Sequence, residues 1–198
     1  MVAPRQKLSP DEYLAWEREQ PTKHEYYRGE VFAMVGGSVR HDHLCSVLIA
    51  LLRERLVAQG CIVLTSDQRV ALDTSERYVY PDLTVVCGPP RVQHGDVIVN
   101  PTVIVEVLSL STEQHDRGSK WSSYQQLPSL RDYILVLQWT PRIEVFSRDD
   151  GRGWSYRAAG AGERVVLSSG AELRVDDVFA GAMELPGDAP PPLISGRE

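Results

Sequence analysis

Long apolar segments are missing from this sequence. The chain has 198 residues, of which 42% are hydrophobic, yet no apolar run approaches the roughly 18 residues that a membrane-spanning helix needs. The first ten residues, MVAPRQKLSP, also lack the hydrophobic stretch of a secretory signal peptide. These absences predict no membrane segment and a cytoplasmic location.

Cysteine is scarce and scattered. The three cysteines are Cys45, Cys61 and Cys87, and they form neither a CxxC motif nor a Cys/His cluster of the kind that binds zinc. Each lies in an apolar context, which is typical of reduced cysteines in a core. The pattern predicts three free thiols and argues against zinc.

Basic residues are outnumbered. The 21 Lys and Arg residues against 27 Asp and Glu residues give a net charge of −6. Nonspecific nucleic-acid binding depends mainly on phosphate neutralisation, so this balance argues against a protein with a broad basic surface. Arg117, Lys120 and Arg131 are expected to cluster around one site. Any affinity for DNA should be weak and strongly salt dependent.

Two carboxylates lie in or beside apolar segments. Asp82 opens the run from Leu83 to Cys87, and Glu106 lies inside the β-branched run from Pro101 to Leu108. Desolvating a carboxylate in such a segment is costly unless it meets a cation. Each has an ordinary alternative, because Pro81-Asp82 is also typical of a strand entrance and Glu106 can form an internal salt bridge with an arginine.

Lys120 follows Asp116 on a predicted helix and by itself would be an ordinary solvated lysine. Together with Asp82 and Glu106 it completes a set that can hold magnesium beside a phosphate. Magnesium takes one or two carboxylates and fills its remaining positions with water and phosphate oxygens, while a lysine adds positive charge to the same oxygens. The combination predicts metal-assisted hydrolysis of a phosphodiester.

Sequence patterns predict which helices and strands carry these residues. Ser9-Pro10-Asp11-Glu12 predicts a capped helix to about Gln20, and leucines on one face predict a helix from Asp42 to about Gln59 that Gly60 ends. A hairpin is predicted over Glu25 to Val35. The remaining elements are strands over 61–72, 83–87, 102–108, 131–138 and 142–147, a helix over 116–127, and a closing hairpin over 153–158 and 163–167.

The order of these elements predicts one mixed sheet. Strand 131–138 should return parallel to strand 102–108 through the helix 116–127, which puts Lys120 over the strand of Glu106. The hairpin 25–35 and the later strands should extend the same sheet. Residues 1–184 are expected to form a single domain, and the proline-rich residues 185–198 a disordered tail.

Several strings between Tyr80 and Val136 carry a family resemblance. They are Pro81-Asp82, Val105 to Ser109 with Ser111-Thr112, Asp116-Arg117-Gly118 with Lys120, Tyr124, and Leu127 to Arg131 with Tyr133; Glu25, Gly29-Glu30 and His41 match earlier in the chain. This pattern resembles the Uma-two family of restriction-endonuclease-like proteins, which belongs to the PD-(D/E)XK nuclease superfamily. The resemblance extends over about residues 8 to 180.

The resemblance implies an α/β fold with a restriction-endonuclease-like core, in which helices flank a mixed central sheet and an N-terminal hairpin and C-terminal strands are added. It also implies that Asp82 and Glu106 bind Mg²⁺ or Mn²⁺. The superfamily lysine normally lies two residues after the glutamate, where this chain has Leu108, so its role passes to Lys120. Leu110 departs from the family pattern too, because proline is common there.

Two accessory residues are candidates. His41, between Arg40 and Asp42, could position a water molecule or a phosphate, or it could serve only as a helix-entry residue. Glu30 could add an outer carboxylate, although an exposed hairpin glutamate is the more ordinary interpretation.

Three functions remain open. The first is a magnesium-dependent endonuclease that acts on DNA, which the joint presence of Asp82, Glu106 and Lys120 favours. The second is a catalytically silent protein of the nuclease fold that docks DNA or a partner, which the acidic balance and the displaced lysine favour. The third is a phosphohydrolase for a small substrate, because no recognition element is visible.

A homodimer is predicted from an apolar surface. Ile134, Leu135, Trp139 and Ile143 would be covered in a two-fold dimer, whose two sites could cut both strands of a duplex.

Overall fold

The computed structural model of the protein describes residues 7–72, 76–149 and 153–188. Its helices are α1 (Pro10–Glu17), α2 (Val39–Leu56), α3 (Glu113–His115), α4 (Trp121–Tyr124) and α5 (Val175–Val178). A π-helical turn, Asp116–Lys120, joins α3 to α4, and short 3-10 turns lie at Val57–Gln59 and Ala182–Glu184.

The strands of the described residues form two six-stranded sheets and a small hairpin. The main sheet has the order β12-β11-β10-β9-β6-β3, the second sheet has the order β2-β1-β5-β4-β8-β7, and β13 pairs with β14. The strands are β1 (His24–Tyr27), β2 (Glu30–Ala33), β3 (Cys61–Thr65), β4 (Arg69–Leu72), β5 (Arg77–Val79), β6 (Leu83–Cys87), β7 (Val92–Gln93), β8 (Val97–Ile98), β9 (Val103–Leu108), β10 (Asp132–Leu137), β11 (Arg142–Asp149), β12 (Gly153–Gly160), β13 (Arg164–Val166) and β14 (Glu172–Arg174).

Helix α2 forms because four leucines recur every fourth residue along one face. Leu44, Leu48, Leu52 and Leu56 are all fully buried and belong to one core cluster with β6 and β9 side chains of the main sheet. The Ser38 side chain caps the helix by accepting a hydrogen bond from the His41 amide. The segment ends as predicted at Gly60, which adopts a positive φ of 73°.

Strands β6, β9 and β10 lie side by side in the main sheet. β9 is parallel to β10, as the predicted crossover requires, and antiparallel to β6, with Leu83 opposite Val105. Alternate β9 residues Ile104 and Leu108 pack with Tyr124 in a second core cluster, away from the α2 leucines. Glu106 lies between these two residues, so strand alternation places it on the same face.

The α/β architecture with mixed sheets is confirmed, but the prediction of one continuous sheet is wrong. The N-terminal hairpin belongs to the second sheet, where β1 pairs with β5. The predicted strand 61–72 is broken because Ser66 and Asp67 form a turn closed by the Gln68 amide and the Thr65 carbonyl, 3.0 Å apart. Its halves enter different sheets.

The closing hairpin is also different from the prediction. β12 pairs along its whole length with β11, from Arg142 opposite Gly160 to Asp149 opposite Gly153. β13 pairs instead with β14. The eight residues of β11 can pair with all of β12 through backbone hydrogen bonds, whereas β13, after Gly162, has only three residues.

The prediction of three free thiols is wrong for two of the cysteines. Cys61 on β3 and Cys87 on β6 are directly opposite each other in the antiparallel register and are joined by a disulfide. Cys45 is the free cysteine. Their wide sequence separation concealed the pairing, because register between distant strands cannot be read from composition.

The apolar surface predicted for a dimer does not exist. Ile134, Leu135 and Ile143 are fully buried in the core, and Trp139 is a partly buried residue packed against it. A homodimer therefore stays a prediction that requires a different surface.

The beginning of the predicted tail is packed against the domain. The Arg40 guanidinium donates to the Leu185 carbonyl at 2.7 Å, and the Gln138 amide donates to the Asp188 carboxylate at 3.3 Å. The rest of the predicted tail, 189–198, lies outside the described residues. Within the described part of the chain, no helix combines the length and the apolar character needed to cross a bilayer.

Candidate active site

Glu106 is the centre of a buried polar cluster. Its side chain projects from β9, and only 3% of the residue is exposed. The Oε1 atom accepts hydrogen bonds from the Tyr124 hydroxyl at 2.9 Å and from Lys120 Nζ at 3.3 Å. The Oε2 atom accepts from the Asp82 backbone amide at 3.3 Å. Glu106 therefore forms an internal salt bridge, as the ordinary interpretation predicted, but its partner is a lysine instead of an arginine.

Asp82 lies beside Glu106 at the entrance to β6. Leu83 is opposite Val105 in the ladder, so the preceding residue comes next to Glu106. Asp82 Oδ2 accepts from the Val107 amide at 2.7 Å and faces His41 Nε2 at 3.2 Å. Asp82 therefore lies at the strand entrance and beside Glu106, while its role as a metal ligand stays a prediction.

Lys120 is buried in this cluster rather than solvated. Its Nζ lies 2.9 Å from Glu25 Oε1, 3.3 Å from Glu106 Oε1 and 3.3 Å from Asp116 Oδ1. The π-helical turn that carries it is a feature often found at functional sites. Burial would lower the pKa of Lys120, but the carboxylates of Glu106, Glu25 and Asp116 raise it well above its usual value, so the amine is charged.

Carboxyl groups outnumber the cationic groups around Lys120. The carboxyl groups of Glu25, Glu106 and Asp116 meet one ammonium group, and the neighbouring Asp82 carboxylate faces His41. Burial raises the pKa of Glu106 to about 8, against the lowering effect of the Lys120 ammonium. Burial also raises the pKa of Asp116. Protonation relieves part of the repulsion that a divalent cation would otherwise neutralise.

This raised pKa predicts a pH-dependent stability for the metal-free protein. Between about pH 4.5 and 8 the folded protein keeps a proton on Glu106 that the unfolded chain releases. The folded state is therefore most stable, with respect to this group, below about pH 4.5, and this stability is lost as the pH rises through about 8. In EDTA, the melting temperature of the wild type minus that of Glu106→Gln should fall over this interval. A difference in melting temperature that stays the same at every pH would contradict the raised pKa of Glu106.

The donor set suits a hard divalent cation. Asp82 and Glu106 supply carboxylate oxygens from adjacent positions of the sheet, which are the ligands that Mg²⁺ and Mn²⁺ prefer. Among the described residues, the Asp82 hydrogen bonds involve Oδ2 and leave Oδ1 for another partner. The excess of carboxyl groups over cationic groups also favours a cation, so the residues present fit such an ion.

The two accessory candidates have different positions. His41 is a helix-entry residue whose backbone amide takes part in the α2 cap, and its Nε2 contacts Asp82. A role in positioning a water molecule or a phosphate stays a prediction. Burial favours the neutral imidazole, but the hydrogen bonds and charges of Asp82 and Cys45 together outweigh it and raise the pKa of His41 to about 11. Glu30 is not brought into the site: its exposed carboxylate lies 3.9 Å from Lys7.

Site residues were missed by the sequence reasoning. Glu25, rather than Glu30, is the hairpin glutamate that reaches Lys120, and Asp116 contacts Lys120 from one turn earlier. The four-residue spacing of Asp116 and Lys120 was a usable signal. For Glu25 the only signal in the sequence was its match to the family pattern. Tyr124, a residue of the family pattern, donates to Glu106.

The predicted cluster of cations is not formed. Arg117 is occupied by Glu113 at 2.8 Å and Glu144 at 2.6 Å. Arg131 precedes β10, in which Leu135 is the residue opposite Glu106, so it lies several residues away along the strand. It lines a separate cavity of about 510 Å³. Lys120 is thus the cation of this trio that belongs to the site.

Comparisons with known proteins agree with this fold. Residues 10–186 match the model of the Uma2 family, described as "putative restriction endonuclease". Two relatives from Synechocystis sp. (strain PCC 6803) are "Uncharacterized protein slr1290", 37% identical over 90% of this chain and 95% of its own, and "Uncharacterized protein sll1609", 31% identical over 78% and 88%.

A solved structure has the same fold. The crystal structure of "a putative nuclease belonging to DUF820" from Anabaena variabilis superposes with a TM-score of 0.72 and covers 88% of this chain and 99% of its own. The two sequences are 14% identical, so this likeness shows the fold alone. The family match spans nearly the whole chain and includes every residue of the cluster around Glu106. The chain therefore belongs to the Uma2 family of restriction-endonuclease-like proteins.

Proposed function

We propose that the protein is a magnesium- or manganese-dependent endonuclease of the PD-(D/E)XK type that hydrolyses phosphodiester bonds in DNA. Asp82 and Glu106 bind the metal ion, and Lys120 acts on the scissile phosphate. The observation that carries this proposal is the convergence of three buried or half-buried groups on one sheet position, with Lys120 Nζ 3.3 Å from Glu106 and the Asp82 amide 3.3 Å from the same carboxylate.

Each residue has a separable task. When bound, Mg²⁺ supplies a water of lowered pKa and neutralises charge on the phosphate. Asp82 and Glu106 provide the oxygen ligands, and the hydrogen bonds from Val107 and Tyr124 orient them. Lys120 supplies a fixed positive charge for a phosphate oxygen once the substrate competes with its carboxylate partners. Glu25 and Asp116 hold the ammonium in place until then.

An inert scaffold would gain little from this cluster. Burying several carboxylates around one lysine costs free energy that apolar side chains of similar size would not. That cost is expected where the charges perform chemistry, which favours the enzyme over the silent docking protein. The acidic surface and the paired Arg117 imply weak, salt-sensitive DNA binding. A cytoplasmic homodimer completes the proposal, because two sites are needed to cut both strands of a duplex.

The proposal is tested by a cleavage assay on purified wild-type protein at low salt. Labelled duplex DNA, single-stranded DNA, RNA and a small phosphodiester are each incubated with Mg²⁺, with Mn²⁺ or with EDTA. We expect internal cleavage of DNA that needs the metal and falls as salt rises. Cleavage of the small ester alone would replace the endonuclease by a phosphohydrolase. No cleavage together with no calorimetric metal binding would establish the silent scaffold.

The matched variants are Asp82→Asn and Asp42→Asn. Both remove one negative charge near the start of α2, but Asp42 is exposed and lies outside the Glu106 cluster. Only Asp82→Asn should abolish cleavage.

A further inference from the structure

We propose a second metal site, formed by His41, Cys45 and Asp82, that takes a borderline-soft ion such as Zn²⁺. The site lies where the first turns of α2 pass the entrance to β6. It goes beyond the proposed nuclease function, although it shares Asp82 with the magnesium ligands.

The geometry brings three different donor types together. His41 and Cys45 are one helical turn apart on α2, and Cys45 Sγ lies 3.7 Å from His41 Nδ1. Asp82 Oδ2 lies 3.2 Å from His41 Nε2. One ligand atom from each residue can be chosen so that all three lie within 4.8 Å of one another. Ligand atoms around a tetrahedral zinc are separated by roughly 3.3–3.8 Å, a distance that small side-chain rotations would reach.

The surroundings leave room for an ion. All three residues are half-buried, so a water molecule from solvent can fill a fourth position, as in zinc sites with three protein ligands. Gly37 packs against the imidazole, and a Cβ there would lie 2.6 Å from His41 Nδ1. The glycine therefore keeps this edge of the ring accessible. The exposed Asp42 carboxylate, 3.6 Å from Nδ1, adds negative charge nearby.

Ligand chemistry separates this site from the magnesium site. Thiolate and imidazole suit zinc and related ions, whereas Mg²⁺ takes oxygen ligands. Cys45 is the free thiol of the chain, since Cys61 and Cys87 are joined to each other. Asp82 Oδ2 faces His41, and Asp82 is also a proposed magnesium ligand, so a cation held on this carboxylate would repel a second cation bound to its other oxygen. Zn²⁺ should therefore inhibit Mg²⁺-dependent cleavage.

The test is a titration of the metal-free protein with Co²⁺, which replaces Zn²⁺ and reports its ligands by absorption. Binding must displace the protons of the thiol and the imidazole, so the apparent affinity for Co²⁺ should rise with pH. We expect a thiolate-to-cobalt charge-transfer band that saturates at one ion per chain and disappears when Zn²⁺ displaces the Co²⁺. The band should vanish in Cys45→Ser, and His41→Asn should weaken Co²⁺ binding at least about tenfold. Circular dichroism checks that each variant is folded.

Two matched variants exclude other sources of the signal. Cys61→Ala/Cys87→Ala should keep the band, because these cysteines lie on β3 and β6 and not at the site. Glu106→Gln should also keep it, even if cleavage is lost, so that the zinc site and the nuclease proposal fail independently. Absence of the band in the wild type, its persistence in Cys45→Ser, or its loss in the double cysteine variant would each overturn the proposal.

Discussion

Lys120→Met is expected to lower the free energy of unfolding by about 3–5 kcal/mol, as is typical when one partner of a buried ion pair is removed. The methionine keeps most of the length of the side chain but leaves Glu25, Glu106 and Asp116 without their shared cation. Protonation of the carboxyl groups can recover only part of this cost at neutral pH. Urea unfolding followed by circular dichroism measures the difference.

Lys7→Met is the matched control. Lys7 has a 74% exposed side chain whose carboxylate neighbour, Glu30, is 3.9 Å away, so the same substitution should change stability by less than about 0.5 kcal/mol. Adding Glu106→Gln to Lys120→Met should restore part of the loss, because one buried carboxylate disappears with the cation. A loss below about 1 kcal/mol for Lys120→Met, in the range of surface pairs, would show that the cluster is solvated.

Glu106→Gln is expected to reduce metal-dependent cleavage by about 10³-fold or more, since losing the metal ligand removes several kcal/mol of charge stabilisation. Below about pH 4.5, where Glu106 is protonated in the folded and the unfolded protein, stability should stay within about 1 kcal/mol of the wild type, because the amide keeps the side-chain volume and one acceptor for Tyr124 and Lys120. Single-turnover cleavage of labelled duplex DNA with Mn²⁺ measures the rate.

The control for this substitution is Glu30→Gln. Glu30 is an exposed glutamate on the N-terminal hairpin that lies outside the site, so its loss should leave the cleavage rate close to that of the wild type. Equal activity of Glu106→Gln and the wild type would show that cleavage comes from another site or from a contaminant.

The sequence was sufficient where a periodic pattern or a family motif was strong. The leucine face of α2, the parallel return of β10 beside β9, and the face of Glu106 all follow from local patterns that agree with the tertiary packing. Asp82, Glu106 and Lys120 were selected because a carboxylate in an apolar strand requires a cation. The structure brings these three residues together, while their catalytic roles stay predictions.

The remainder depends on contacts between distant segments. Glu25 and Glu30 are equally plausible in a hairpin sequence, and only the pairing of β1 with β5 decides which one approaches Lys120. The disulfide depends on the β3–β6 register. His41 and Cys45 carry a helical spacing that can be read directly, but Asp82, the third member of their group, comes from a different element. Long-range register is the information that the local pattern lacks.

The most direct test of the central claim is anomalous scattering from a crystal soaked in Mn²⁺. The account predicts an anomalous peak bonded to oxygens of both Asp82 and Glu106, at the roughly 2.1–2.3 Å expected for a hard cation. The same peak should be absent from Glu106→Gln crystals soaked in the same way. A fully soaked wild-type crystal with no peak between these carboxylates, or with manganese bound only elsewhere, would contradict the assignment of the active site.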